Sequence, residues 1–238
     1  SVGEENTFSF KLDASSIFIS YQITESSSGR FLAFLRFIAP APGIWHIRVY
    51  PTLLVSGQFH IWLPMQGFLT EDTGFLRPDP DITITDPGNA PLLLTVSTYN
   101  HVTGILYIHS SRGFTATGQI KPDLAAPGVN VQGPGILPGT SRLPRQTDSA
   151  VREAVPPSSS ISLTRKTGSS IAAAITAGAV ACLFSWGFTQ GNDTTLTSIS
   201  VKSILIRGAD RKEAFRYPNR QWGYGTLNLY RAFLLLRE

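Results

Sequence analysis

Thr167-Gly168-Ser169-Ser170-Ile171-Ala172-Ala173-Ala174 is the stretch on which the reading of this chain turns. It sets a hydroxyl just after a glycine, at the start of an uncharged run of small and apolar residues. A serine there can be exposed by the turn while the helix behind it stays buried. The positive end of the helix dipole favours negative charge developing beside that hydroxyl. Ala172, Ala173, Ala177 and Gly178 let the helix approach other backbone closely, which would hold a nucleophile on a rigid element. Two readings fit these residues. In one, Ser169 or Ser170 merely caps the helix, as most serines before apolar helices do. In the other, Ser170 is a nucleophile.

Working outward, three helices are expected, over residues 170–186, 196–207 and 226–236. Residues 167–192 carry no charge, but the strongly apolar part, 171–186, is shorter than the roughly 20 residues a bilayer span needs. It reads as a buried helix, and no membrane span is expected. Upstream, 92–99 suits a strand buried on both faces and 105–108 suits another, so the chain from about Gly88 onward is α/β in character. Residues 132–166 hold Pro134, Pro138, Pro144, Pro156 and Pro157 among many polar residues and read as a long loop. Arg142, Arg145, Arg152 and Arg165 make it basic and open to proteolytic nicking.

The first part has a different grammar. Runs at 7–12, 17–24, 31–38, 44–50 and 57–63 are rich in β-branched and aromatic residues, with Gly29, Pro40, Pro42, Pro51 and Gly57 as punctuation. Five strands at this spacing suggest a β-sandwich. Residues 69–87, rich in Asp and Pro, look like a connection. The expected division is therefore a sandwich over 1–87 and an α/β part over 88–238.

Composition narrows the function. With 42% hydrophobic residues the chain has ample material for a core. The net charge of +4 is spread along the chain, which says little for nucleic acid, and none is expected as a partner. The single cysteine, Cys182, excludes an internal disulfide framework and any zinc site of several thiolates. The N-terminus has neither a basic nor an apolar region of a secretory signal peptide and no initiating Met, and suggests a processed product or a partial reading frame.

Three segments carry a resemblance. Gly168 to Gly178 resembles the nucleophile segment of subtilisin-like serine peptidases, Gly-Thr-Ser-x-Ala-Ala-Pro-His-Val-Ala-Gly, with Ser170 at the nucleophile. Ser169 stands for Thr, Ala174 for Pro, and Ile175-Thr176 for His-Val. Ser110-Ser111-Arg112-Gly113-Phe114, followed by Lys121-Pro122-Asp123-Leu124-Ala125-Ala126-Pro127-Gly128-Val129, is similar to the run that precedes the nucleophile in that family. Trp222-Gly223-Tyr224-Gly225-Thr226-Leu227-Asn228 resembles the glycine turn before its closing helix. The resemblance implies the C-terminal half of a subtilisin-like α/β fold, a parallel sheet with helices, that cleaves peptide or protein substrates. Pro42-Gly43-Ile44-Trp45, Arg48-Val49-Tyr50 and 59–64 further resemble the jelly-roll insert of the spore-germination subtilases, which implies an all-β jelly-roll ahead of that half and an extracellular or spore-associated setting.

Acyl transfer by serine needs a base, a group that orients it, and donors for the oxyanion. The family's His-Gly-Thr-His and Ala-Gly-Asn segments have no match here. His46 and His60 fall in strand patterns, His101 in an apparent turn and His109 just before the Ser-Ser-Arg-Gly run; Asn89 and Asn100 lack the oxyanion context. The Asp, His and Asn are thus expected on an upstream half of the same domain, and the chain alone is expected to be inactive. Asp123 takes a structural role by the resemblance. Asp79, Asp81 and Asp86 read as a solvated loop, so neither metal nor cofactor is expected. The rival readings are a non-catalytic subtilase-like scaffold that binds a partner protein and, last, a sugar-binding sandwich using Trp45 and Trp62.

Overall fold

The computed structural model describes residues 6–12, 15–23, 31–50, 59–64, 67–135 and 163–236. The chain divides into two compact units, Ser1–Pro64 and Met65–Glu238, so residues 69–87, expected as a connection at the end of the first domain, fall in the second unit.

In the first unit β1 (Asn6–Leu12), β2 (Ser15–Ile23) and β3 (Phe31–Ile38) form one antiparallel sheet in that order, with Phe10 opposite Ile17 and Ile17 opposite Phe37. Ile17 is buried, and Ser15 Oγ, also buried, accepts from the Ala41 amide at 2.9 Å. Residues 44–50 and 59–63 are not strands, so the expected five-stranded sandwich is not seen; 57, 58 and the adjoining 51–56 lie outside the described residues. Strand propensity reports fit to a half-buried pleated surface rather than a backbone preference, and a β-branched run forms a strand only where an edge accepts it.

The second unit is built on a short parallel pair, β4 (Val96–Tyr99) and β5 (Leu124–Pro127), in register Val96 to Leu124. Residues 105–108 contribute only an antiparallel bridge, Leu106 to Tyr99, rather than a strand. The far side of β5 is closed by the glycine turn near the C-terminus: the Ala125 amide donates to Gly225 O at 2.9 Å and the Leu227 amide to Ala125 O at 2.8 Å. Gly223, at φ +55°, lies so close to the Pro122 and Asp123 carbonyls that a Cβ would collide with them. Both ends of the expected loop 132–166 are ordered, since β6 (Val131–Pro134) pairs antiparallel with β7 (Leu163–Lys166); residues 136–162 lie outside the described residues.

Among the described residues, three α-helices complete the unit. α1 (Ser169–Phe184) continues into a π-helical turn, Ser185–Thr189. α2 (Ser198–Arg207) starts from a capping box in which Thr197 Oγ1 accepts from the Ser200 amide and Ser200 Oγ accepts from the Thr197 amide. α3 (Leu229–Leu234) is capped by Asn228. Leu124, Leu183, Leu196, Val201, Leu205, Ala209 and Ala232 form the core between sheet and helices. Leu183 and Leu205 are fully buried, each contributing about 1.5–3 kcal/mol by removal from water.

α1 corrects one expectation. It is not buried all round: Ala172, Thr176, Ala179 and Leu183 are buried against the unit, whereas Ala173, Ala174, Ala177, Gly178, Ala181 and Cys182 are exposed. With its π turn it runs 21 residues and is long and apolar enough, by length and composition, to cross a membrane. The spacing of the buried residues, i, i+4, i+7 and i+11, is that of one helical stripe. An apolar composition specifies a helix to be covered on every side, and the described residues cover one.

Candidate active site

Ser170 is the second residue of α1 and is exposed. No side chain caps this helix; Gly168 holds the N-cap position, so the reading of Ser169 or Ser170 as a cap is set aside. The turn that presents Ser170 is anchored from two sides. The Gly168 amide donates to Gly128 O at 2.8 Å, and Thr167 Oγ1 accepts from the Asn130 amide at 2.8 Å. Gly128 in turn donates to Tyr99 O at 3.0 Å, so strand β4, the end of β5 and the serine turn form one hydrogen-bonded chain. A Cβ on Gly128 would meet Gly168 O and the side chains of Thr98 and Ala172, which is why a glycine stands there.

The motif segments quoted from the sequence converge here. Ser110 Oγ is buried and accepts from the Thr98 amide at 2.9 Å; the Gly113 amide donates to Arg220 O at 2.8 Å; Ser97 Oγ donates to Gln221 O at 2.6 Å. Ser110 and Ser111 also line an open cavity of about 720 Å³, together with Ser169, Ser170, Ala173, Ala177 and Val180 of α1, residues 93–96, Asp86 and His109.

No hydrogen bond joins Ser170 to a base among the described residues. His109 shares the cavity with it, its ring set edge-on against Tyr107 at 5.2 Å. His60 stacks on Trp62 at 5.4 Å in the first unit, His46 is exposed there, and His101 is exposed in the turn after Asn100. Trp45, half-buried, donates from Nε1 to Ala41 O at 3.0 Å and packs edge-on against Phe37. Asn89 donates to Ile84 O and Asn100 closes its own turn by accepting from the Val102 amide. Of the aspartates considered for a cation, Asp79 accepts from the Asp81 amide, Asp81 pairs with Arg220 at 2.8 Å, and Asp86 lines the cavity.

Residues 78–225, more than half of the chain, match the model of the Peptidase S8 or subtilase family. The chain belongs to the subtilase family. The structure of the Clostridium perfringens CspB protease aligns with 99% of this subtilase chain and with 45% of its own length, at 26% identity and a TM-score of 0.65. The prenylagaramide maturation protease PagA (21% identity, 66% of this chain and 47% of that one, TM-score 0.46) and the patellamide maturation protease PatA (23%, 63% and 45%, 0.43) are also similar. The chain thus spans just under half the length of these solved structures. No curated protein matches it.

Asp123 is held away from any catalytic role by its partners. Its Oδ2 is 2.8 Å from Lys121 Nζ and accepts from the Thr95 amide, its Oδ1 is 2.8 Å from Lys202 Nζ, and it is 3% exposed. Both lysines also donate to Leu93 O, at 2.5 and 3.0 Å. Burial pushes the Lys121 ammonium below the ordinary lysine value, against the opposing pull of Asp123. The lysine pair was not legible in the sequence, because Lys202 comes from α2, far along the chain from Lys121 and Asp123.

Proposed function

We propose that this subtilase chain is the nucleophile-bearing part of a serine endopeptidase. The observation that carries the reading is Ser170, exposed on the first turn of α1 over a cavity and pinned by Gly128 and Asn130 through its own turn, inside the stretch that matches the family. Its Oγ attacks the carbonyl carbon of a peptide bond while a base takes its proton. The base returns that proton to the leaving amine, and water then releases the acyl group from Oγ. The Ser170 amide, in the first turn, has no acceptor inside the helix and is available to the oxyanion.

The remaining machinery, an aspartate, a histidine and an oxyanion asparagine, comes from a segment outside these residues. The 45% span on the CspB protease supports this, as does the absence of a base on Ser170 among the described residues. The likeness of that protease over 99% of this chain, first unit included, supports the narrower reading of a spore-germination-type subtilase whose first unit is a jelly-roll insert, acting outside the cytoplasm. The test is hydrolysis of a denatured protein substrate by the polypeptide extended upstream to the start of its reading frame. Activity lost in Ser170→Ala is expected; no activity in either would favour the scaffold reading, a pseudoprotease that binds a partner protein, which the unpartnered Ser170 also permits.

A further inference from the structure

Asp86 is the one carboxylate among the residues that line the cavity bordered by Ser170. Asp79, Asp81, Asp123 and Asp210 each hold an amide or a cation. Among the described residues the Asp86 carboxylate accepts no hydrogen bond and meets no Lys or Arg. The backbone that carries it is nonetheless braced on both flanks. Upstream, the Ile82 and Thr83 amides donate to Gly113 O and Arg112 O at 3.4 and 2.9 Å, and Asp81 pairs with Arg220 at 2.8 Å. Downstream, Asn89 Nδ2 donates to Ile84 O at 2.9 Å and Thr95 Oγ1 to Gly88 O at 2.7 Å. A Cβ on Gly88 would crowd Thr85 O and the Ile84 side chain. The loop thus fixes where the carboxylate stands without engaging it, which is how a group is preorganised for a ligand.

The cavity walls narrow the chemistry of that ligand. None of the lining residues is Lys or Arg, and His109 is the only other titratable side chain among them. Leu93, Leu94, Ala173, Ala177 and Val180 add apolar wall. A ligand that matches both features has an apolar stem and a cationic head, as the side chains of arginine and lysine do. Inside a cavity the attraction between opposite charges is several times stronger than in bulk water. A divalent cation matches poorly: calcium takes about six to eight oxygens, and no group of three His, Cys, Asp or Glu converges among the described residues. A peptide with a carbonyl carbon at Ser170 Oγ advances about 3.3 Å per residue, so the side chains that reach the cavity belong to residues beside the scissile bond.

We propose that Asp86 is a specificity-determining residue, which receives the guanidinium or ammonium group of an arginine or lysine within two residues of the bond that Ser170 attacks. This deepens the reading above and rests on it. Asp86 takes no part in making or breaking bonds; it selects which peptide Ser170 meets. Its side chain is exposed in the free protein and gains a partner only when a substrate side chain fills the cavity. Arginine, whose planar fork bonds both carboxylate oxygens, is preferred over lysine.

The experiment uses the polypeptide extended upstream to the start of its reading frame, carrying Ser170→Ala to prevent turnover. Two pools of nonapeptides are titrated against it, identical except that the fixed central residue is arginine in one and citrulline, uncharged and of the same shape, in the other. The arginine pool should bind about 30-fold more tightly or better at low ionic strength, with the margin shrinking as salt is added. Adding Asp86→Asn should bring the two pools to within about threefold of each other, and adding Asp86→Lys should turn the preference toward a glutamate pool. Because the Asp86 side chain is exposed, both variants should unfold at the urea midpoint of the parent. Equal binding of the arginine and citrulline pools, binding of neither, or an arginine preference that survives Asp86→Asn would overturn the proposal. The same pools given to the protein with Ser170 intact separate this from the catalytic reading. Arginine preference without hydrolysis would leave the Asp86 site standing and overturn only the catalytic reading; hydrolysis without arginine preference would do the reverse.

Discussion

Asp123 shows how a single carboxylate is assigned. With both oxygens engaged by buried or half-buried lysines and by the Thr95 amide, it fixes the entry to β4 rather than serving chemistry. Asp123→Asn leaves two cations without a counter-ion and should cost about 3–5 kcal/mol in urea unfolding, whereas Lys121→Met leaves the Asp123–Lys202 pair and should cost less than half of that. The pH dependence has a definite sign. Because burial lowers the pKa of Lys121 in the folded state, the unfolded chain binds more protons between that lowered value and the ordinary lysine value. Stability from this group therefore rises with pH across that window, and the rise should vanish in Lys121→Met, as unfolding curves at successive pH values would show. The turn that exposes Ser170 was legible from its neighbours in sequence because such a turn is a local object: glycine, hydroxyl, small-residue helix. The lysine pair on Asp123 was not, since a buried ion cluster joins residues that only the fold brings together.

At the scale of elements, α2 and α3 follow local rules and begin within a few residues of where the sequence places them. Thr197→Ala should remove the capping box and cost about 1 kcal/mol, and Leu205→Ala should leave a hole under α2 and cost about 2–5 kcal/mol, both measurable by thermal or urea unfolding. Strands were less legible. The runs at 44–50 and 59–63 have the composition of strands but form none among the described residues, while β5, β6 and β7 are short, proline-bearing or polar, and are strands because of what lies beside them. A ladder is a property of two segments, and composition describes one. α1 failed in the opposite way: its composition correctly demands burial, and these residues satisfy the demand on one stripe.

For the whole molecule, the chain belongs to the subtilase family and spans just under half the length of the CspB protease it resembles. The serine turn is already anchored by Gly128 and Asn130, so on the proposed reading a segment outside these residues would supply the base and not the nucleophile turn. The most direct test is intact-mass and peptide mapping after exposure to a fluorophosphonate, on this chain and on the polypeptide extended upstream. The account predicts a stoichiometric adduct on the Ser170 peptide of the extended protein, absent from Ser170→Ala and absent from this chain alone. An adduct on another serine, or none in the extended protein, would contradict it.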